Sequence, residues 1–327
     1  MIETNDHGPR SFALVANAAP AFLALALIAQ AAVLEGCRGG CGSRQADAGS
    51  VAAPADQGEA PGVDPGPASE VVEIRADDGL VLVADLTACR DPGAPAVVMV
   101  AGPSRTRGSW DGLAKAIRAR LGAGLLAVDP RGTGASTVRG KEAVLAGAFG
   151  KDDWEAVAAD GPAVARWIAT HMAGAGVGAA GDGRGGADAG RKVVLVGESF
   201  GATVATRWAA AVRAGGLDVV ALVLLSPGAS MHGVDLWKPL VALDLGDVFV
   251  AAAEDGISWE TAGSIAGLGG GSPTARLYPN VSGHGLDLVS SNPDLKKEIV
   301  EFIAKRSGEG AGSGRSPDAG GDDALDE

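Results

Sequence analysis

From residue 69 to residue 306 the chain alternates short apolar runs with segments of helical periodicity. Val71–Arg75 and Leu80–Leu86 alternate apolar and polar positions around Asp77-Asp78-Gly79, which predicts a β-hairpin. Ala96–Val100 and Leu125–Val128 are apolar throughout, as expected of strands covered on both faces. Between them Leu113, Ile117 and Leu121 recur at helical spacing. Trp154, Val157, Val164, Trp167 and Ile168 mark a second helical face, restarted at Pro162 behind an Asp160 cap. Val193–Val196 predicts a further buried strand with a small-residue helix behind it. Val219–Leu225 and Val248–Ala252 follow as strands, Trp259–Leu268 as a helix, Arg276–Tyr278 as a short strand and Leu295–Arg306 as the closing helix. Strands that alternate with helices predict an α/β domain, with a mostly parallel central sheet flanked by helices.

Outside residues 69–306 the pattern changes. Ser11 to Leu34 is apolar, follows Arg10 and stops at Glu35-Gly36-Cys37, which predicts an export signal or membrane anchor over residues 1–37. Leu34-Glu35-Gly36-Cys37 resembles a bacterial lipobox. That resemblance implies lipidation of Cys37 and an exported, membrane-anchored lipoprotein of the bacterial cell envelope. Glu35 departs from the small residue usual there, and Glu3 and Asp6 lie in the leading region. An uncleaved anchor and plain secretion are the alternatives. Residues 38–68 and 307–327 are rich in Gly, Ala, Pro and acidic residues, so they predict a disordered linker and a disordered acidic tail. Ala173 to Arg191 has the same character and reads as a surface insertion.

With 327 residues, 46% of them hydrophobic, the chain suffices for one large domain rather than two. The net charge of −13 comes without a basic stripe, which argues against a nucleic-acid partner and reads as solubility. Nothing in the pattern implies a protein partner. Cys37, Cys41 and Cys89 form no C-x-x-C pair, so no zinc site is expected. A Cys41–Cys89 disulfide is open in an oxidising compartment, but Cys41 sits in the linker and two unpaired thiols are the simpler reading.

The chemistry concentrates in Lys192 to Ala211. The apolar run Val193–Val196 leads into Gly197-Glu198-Ser199-Phe200-Gly201, and a helix follows at once. This is the strand–turn–helix layout in which a G-x-S-x-G serine becomes a nucleophile. With 51 glycines in the chain, roughly 0.5 accidental matches are expected, so context decides. Ala202, Ala205 and Ala209 would let a helix close up behind the turn.

The order and spacing of elements resemble the α/β-hydrolase fold family from about Glu70 to Arg306. The matching pieces are VVMVAG at 97–102, VDPRGTGAS at 128–136, VGESFGA at 196–202, VFVAAAEDG at 248–256 and SGHGLDL at 282–288. Only residues 227–247 separate Ser226 from the strand at Val248. Members with a large cap place it there, so the resemblance implies a minimal cap.

It also implies a serine hydrolase acting on a small-molecule acyl substrate, with no metal or organic cofactor. Ser199 would be the nucleophile. Of His7, His171, His232 and His284, the last occupies the loop where the family keeps its general base; His232 is the alternative. Asp255 stands where the family places its acid, with Glu254 and Asp235 as alternatives. The Phe200 N–H would be one oxyanion donor. The second normally comes from the turn after the strand ending at Val100, here Ala101-Gly102-Pro103-Ser104, but the aligned residue is Pro103, which has no N–H. Either Ser104 donates through a shifted loop or the hole is weak. Arg105 and Arg107 in that loop are either anion-binding or solvated charges. Leu236, Trp237, Leu240 and Trp110 either line an acyl pocket or belong to the core. Thioesterases, acyltransferases and peptidases share this machinery. A non-catalytic or weakly active, surface-anchored binding protein is the rival reading. Haloalkane or epoxide chemistry uses a carboxylate nucleophile, which Ser199 disfavours.

Overall fold

The structure is a computed structural model. It describes residues 69–308 except 92, 173–190, 244 and 269–272. The expected export segment with Cys37, the linker with Cys41, the insertion after residue 172 and the tail beyond residue 308 lie outside the described residues. No helix of the described residues is long and apolar enough to cross a membrane.

The expected hairpin forms from β1 (Glu70–Arg75) and β2 (Leu80–Thr87), in antiparallel register from Glu70↔Leu86 to Arg75↔Val81. Its turn is closed by Gly79 at φ 86° and by Asp78, whose Oδ1 accepts the Leu80 N–H at 3.1 Å. The α/β core follows: β3 (Ala96–Val100), α1 (Asp111–Leu121), β4 (Gly124–Val128), then the two-residue strands β5 (Val138–Arg139) and β6 (Glu142–Ala143). After these come α2 (Lys151–Ala159), α3 (Gly161–His171), β7 (Lys192–Glu198), α4 (Phe200–Ala214) and β8 (Asp218–Leu225). Among the described residues of 226–247 are the small hairpin β9 (Ser230–Met231) and β10 (Val234–Asp235), one helical turn α5 (Trp237–Leu240) and a 3-10 turn, with no longer element between β8 and the next strand. The chain closes with β11 (Val248–Ala253), α6 (Ile257–Ala266), β12 (Thr274–Tyr278), α7 (Leu286–Ser291) and α8 (Pro293–Arg306).

The main sheet runs β12-β11-β8-β7-β3-β4-β2-β5-β6, with β1 paired to β2. The strands from β12 to β4 are mutually parallel, and β2 joins β4 antiparallel. Strands β3, β4 and β11 are buried along their whole length, which explains their unbroken apolar runs. Two cores lie on the two faces. One joins alternate sheet residues to α2, α3, α4 and α6 through Val164, Ile168, Ala205, Trp208 and Ile265. The other joins the opposite alternation to α1, α7 and α8 through Ile117, Leu121, Leu286, Ile299 and Ile303. The crossover leaving β3 therefore covers one face, and the helix leaving its neighbour β7 covers the other. Parallel sheets of this kind open a crevice at such a point, above the C-terminal ends of the strands.

Two local expectations are corrected. Asp160 occupies the N-cap position before α3, but its side chain caps nothing. Its carboxylate instead takes Arg131 Nε at 3.0 Å and Nη2 at 2.5 Å, and burial pushes that carboxyl up to about 6. The closing helix starts at Pro293 behind Asn292, whose side chain accepts the Leu295 N–H at 3.1 Å, and a separate helix, α7, precedes it.

Candidate active site

The strand β7 ends in Glu198, and α4 begins at Phe200, so Ser199 alone makes the turn between them. It does so at φ 53°, ψ −126°, a conformation that costs a non-glycine residue about 1–3 kcal/mol. The surroundings hold it there. Its N–H donates to Leu225 O at 2.9 Å, and its carbonyl accepts the Ala202 N–H at 3.0 Å. A Cβ on Gly197 would collide with the Gly201 carbonyl, and one on Gly201 would collide with the Val100 carbonyl at the end of β3. Both glycines are thus required by contact as well as by the turn. Ser199 is half-buried, whereas Glu198 and Phe200 are buried. Its Oγ has no hydrogen-bond partner among the described residues. In an unliganded site such a contact is often long and tightens only around substrate. The first N–H groups of α4, beginning with Phe200, have no partner within the helix and carry its positive end.

His284 lies in the loop between β12 and α7. Its Nδ1 is 2.6 Å from Asp255 Oδ2, with the side chains 44% and 23% exposed. An ionised carboxylate only accepts, so Nδ1 carries the proton and Nε2 is left as an acceptor. Asp255 stands just past the C-terminal end of β11, beside β8 in the sheet. The alternatives are engaged elsewhere. Glu254 Oε2 accepts the Asn280 N–H at 3.0 Å, and Asp235 Oδ2 accepts the Lys238 N–H at 2.9 Å. His232 stacks on Trp154, with centroids 3.8 Å apart and planes 10° apart, and meets the Phe200 ring edge-on. His171 stacks on Trp167 and touches its carbonyl at 3.0 Å. Among the described histidines, His284 is the one whose ring meets a carboxylate.

The loop after β3 passes directly over the serine: a Cβ on Gly102 would lie 3.3 Å from Ser199 Cβ. Pro103 and Ser104 are the central residues of a turn closed by Arg105 N–H to Gly102 O at 3.1 Å. The Gly102 N–H faces Glu198 Oε1 at 3.4 Å. Ser104 N–H is committed to nothing among the described residues. The two arginines of this loop are both ion-paired. Arg105 reaches Glu198 Oε1 at 3.2 Å and Asp287 Oδ2 at 2.6 Å. Arg107 reaches Asp85 Oδ1 at 2.8 Å and Asp129 Oδ2 at 2.5 Å. Asp287 raises the Arg105 pKa through its hydrogen bond, and Asp85 does the same for Arg107. Both are part-exposed and each is paired with two carboxylates.

Of the four apolar candidates for an acyl pocket, Trp110, Leu236 and Leu240 are fully buried core, and Trp237 packs against it. A different aromatic group packs on the Phe200 ring beside Ser199: Trp154 contacts Phe149 and Phe200 edge-on at 5.1 and 5.0 Å, and His232 by stacking. Two polar residues escaped the sequence reading. Glu198 is buried, and its Oε2 accepts the Leu286 N–H at 2.9 Å. Ser226, buried at φ 47°, accepts the Gly285 N–H on Oγ at 2.9 Å. A lone carboxylate ending an apolar strand was the available signal for Glu198; Ser226 had none. Among the described residues no group of three or more His, Cys, Asp or Glu could hold a metal ion.

A model of the alpha/beta hydrolase family matches residues 97–303. No curated protein matches the chain. Among solved structures, DcsB in complex with its substrate analogue aligns with a TM-score of 0.53 at 17% identity, over 74% of this chain and 100% of that one. The Pyrococcus furiosus esterase gives 0.52 at 15% identity, over 73% and 91% of the two chains. The hyperthermophilic esterase from Pyrobaculum calidifontis gives 0.50 at 20% identity, over 74% and 85%. At these identities the likeness is one of fold.

Proposed function

The chain belongs to the alpha/beta hydrolase family, and from that premise we propose that it is a serine hydrolase cleaving an ester or related acyl bond of a small molecule. The observation that carries the reading is the 2.6 Å His284–Asp255 contact in a loop held against the strained Ser199 elbow. Ser199 Oγ attacks the acyl carbon and gives its proton to His284 Nε2. Asp255 steadies the imidazolium and keeps its tautomer. The oxyanion is held by the N–H groups of Phe200 and Ser104. Collapse of the tetrahedral species expels the alcohol, which takes the proton from His284. Water then repeats the sequence on the acyl-enzyme and frees Ser199. All the proton transfers run through side chains of this chain. Two of the structural neighbours are esterases, in keeping with an ester substrate.

Hydrolysis of p-nitrophenyl esters of graded acyl length tests the reading. Turnover by the wild type that is lost in Ser199→Ala supports it, and no turnover across the series opposes it. The second reading, a weakly active or non-catalytic binding protein, draws on Pro103. Without a second donor the hole would lose about 3 kcal/mol of transition-state stabilisation, roughly a hundredfold or more in rate. The free Ser104 N–H weighs against that loss. The lipobox-like Leu34–Cys37 further supports an exported, membrane-anchored form, for which the mass of the mature N-terminus is the test.

A further inference from the structure

Glu198 is a charged residue in a place where a charge is expensive. It follows the apolar run Val193–Val196 at the end of β7, retains 1% of its surface and lies directly before Ser199. Burying a carboxylate costs several kcal/mol unless it is paired and hydrogen-bonded. Here the partners come from two separate loops. Oε2 accepts the Leu286 N–H at 2.9 Å, two residues after His284. The Gly285 backbone lies so close that a Cβ there would collide with the same oxygen. Oε1 pairs with Arg105 Nε at 3.2 Å and faces the Gly102 N–H at 3.4 Å, on the loop that carries Ser104. Arg105 then crosses to Asp287 at 2.6 Å, on the first turn of α7.

We propose that Glu198 is a positioning residue for the hydrolytic reaction, tying the Gly102–Arg105 turn and the His284 loop to the nucleophile elbow; the proposal rests on the serine-hydrolase reading. The groups it ties leave the sheet at different strand ends. Ser104 follows β3, Ser199 follows β7 and His284 follows β12, and the Ser104 turn and the His284 loop lie outside the strand pairing that holds the Ser199 N–H. A single buried acceptor touching two of these loops, one residue from the third group, sets their spacing. Misplacement of about 1 Å in such a constellation costs around a hundredfold in rate. An apolar side chain could fill the same volume but could not hold two N–H groups and a guanidinium.

The test compares Glu198→Ala and Glu198→Gln with the wild type, with rates referred to protein that melts cooperatively and is titrated for reactive serine. Glu198→Ala is expected to lower kcat roughly ten- to a hundredfold with KM changed less than about threefold. Glu198→Gln, which keeps one acceptor oxygen, is expected to recover part of that loss. A merely structural residue would lower the folded fraction and leave kcat per titrated site unchanged. Wild-type kcat in folded Glu198→Ala overturns the proposal while the hydrolase reading stands. If Glu198→Ala does not fold, Arg105→Gln removes the same pair from a more exposed position; unchanged kcat there also overturns it. Wild-type protein inactive on every ester removes the hydrolase reading, and this proposal with it.

Discussion

Ser199 and Ser226 directly follow neighbouring parallel strands, β7 and β8, and both have a positive φ, 53° and 47°. They share a positive φ, yet their surroundings differ. Ser199 starts the 15-residue helix α4, is half-buried and leaves its Oγ without a partner among the described residues. Ser226 starts no helix, is fully buried, and its Oγ accepts the Gly285 N–H. A positive φ alone therefore does not make a nucleophile. Access, an uncommitted hydroxyl and a helix N-terminus beside it separate Ser199, the proposed nucleophile, from Ser226. The two are also linked, because the Ser199 N–H donates to Leu225 O, the residue before Ser226. Ser226 in turn holds the residue after His284.

The sharpest way to break this contrast is to remove each hydroxyl. Ser199→Ala should lower kcat by about 10⁴-fold or more, with the melting temperature unchanged or slightly raised. His284→Ala should lose a similar factor and Asp255→Asn a smaller but still large one, and neither should add much to Ser199→Ala if the three act as the proposed triad. Steady-state rates on one p-nitrophenyl ester measure all of these. Near-normal activity in Asp255→Asn together with an inactive Glu254→Gln would move the acid by one residue.

Ser226→Ala is expected to behave differently. It leaves the Gly285 N–H buried without its acceptor, at a cost of about 1–3 kcal/mol in stability, read by chemical denaturation. The rate should fall by no more than roughly tenfold, through loosening of the His284 loop. Loss of all activity in a folded Ser226→Ala protein would mean that the two serines do not divide the work in this way.

The smallest effect concerns Pro103. In the turn as it stands, Arg105 N–H closes the bond and Ser104 N–H is free, so Pro103→Ala should change kcat by less than about threefold. A rise of tenfold or more would show that the missing proline N–H had limited the wild type.

Much of the frame was legible because its signals are periodic. Ala96–Val100, Gly124–Val128 and Val248–Ala253 are buried on both faces and read as unbroken apolar runs. The elbow was legible for a different reason, since its two glycines are required by contacts with α4 and β3. What escaped the sequence has no period. The strands β5, β6, β9 and β10 span two residues each, too short for any alternation. The helix α7 merged with the histidine loop because only six residues separate Gly285 from Asn292. Asp160 looked like a cap because it precedes Gly161-Pro162, but Arg131, distant in sequence, takes its carboxylate. Glu198 and Ser226 are likewise defined by partners 88 and 59 residues away. Long-range polar pairing leaves no local pattern, and that is the part the structure supplies.

The central claim is that the uncommitted hydroxyl of Ser199, and not another serine, is the nucleophile. Incubating the folded protein with a fluorophosphonate and locating the adduct by peptide mass spectrometry tests it most directly. The account predicts one stoichiometric adduct on Ser199, formed far more slowly in His284→Ala. An adduct on Ser226 or any other serine, or none on folded wild-type protein, would contradict it.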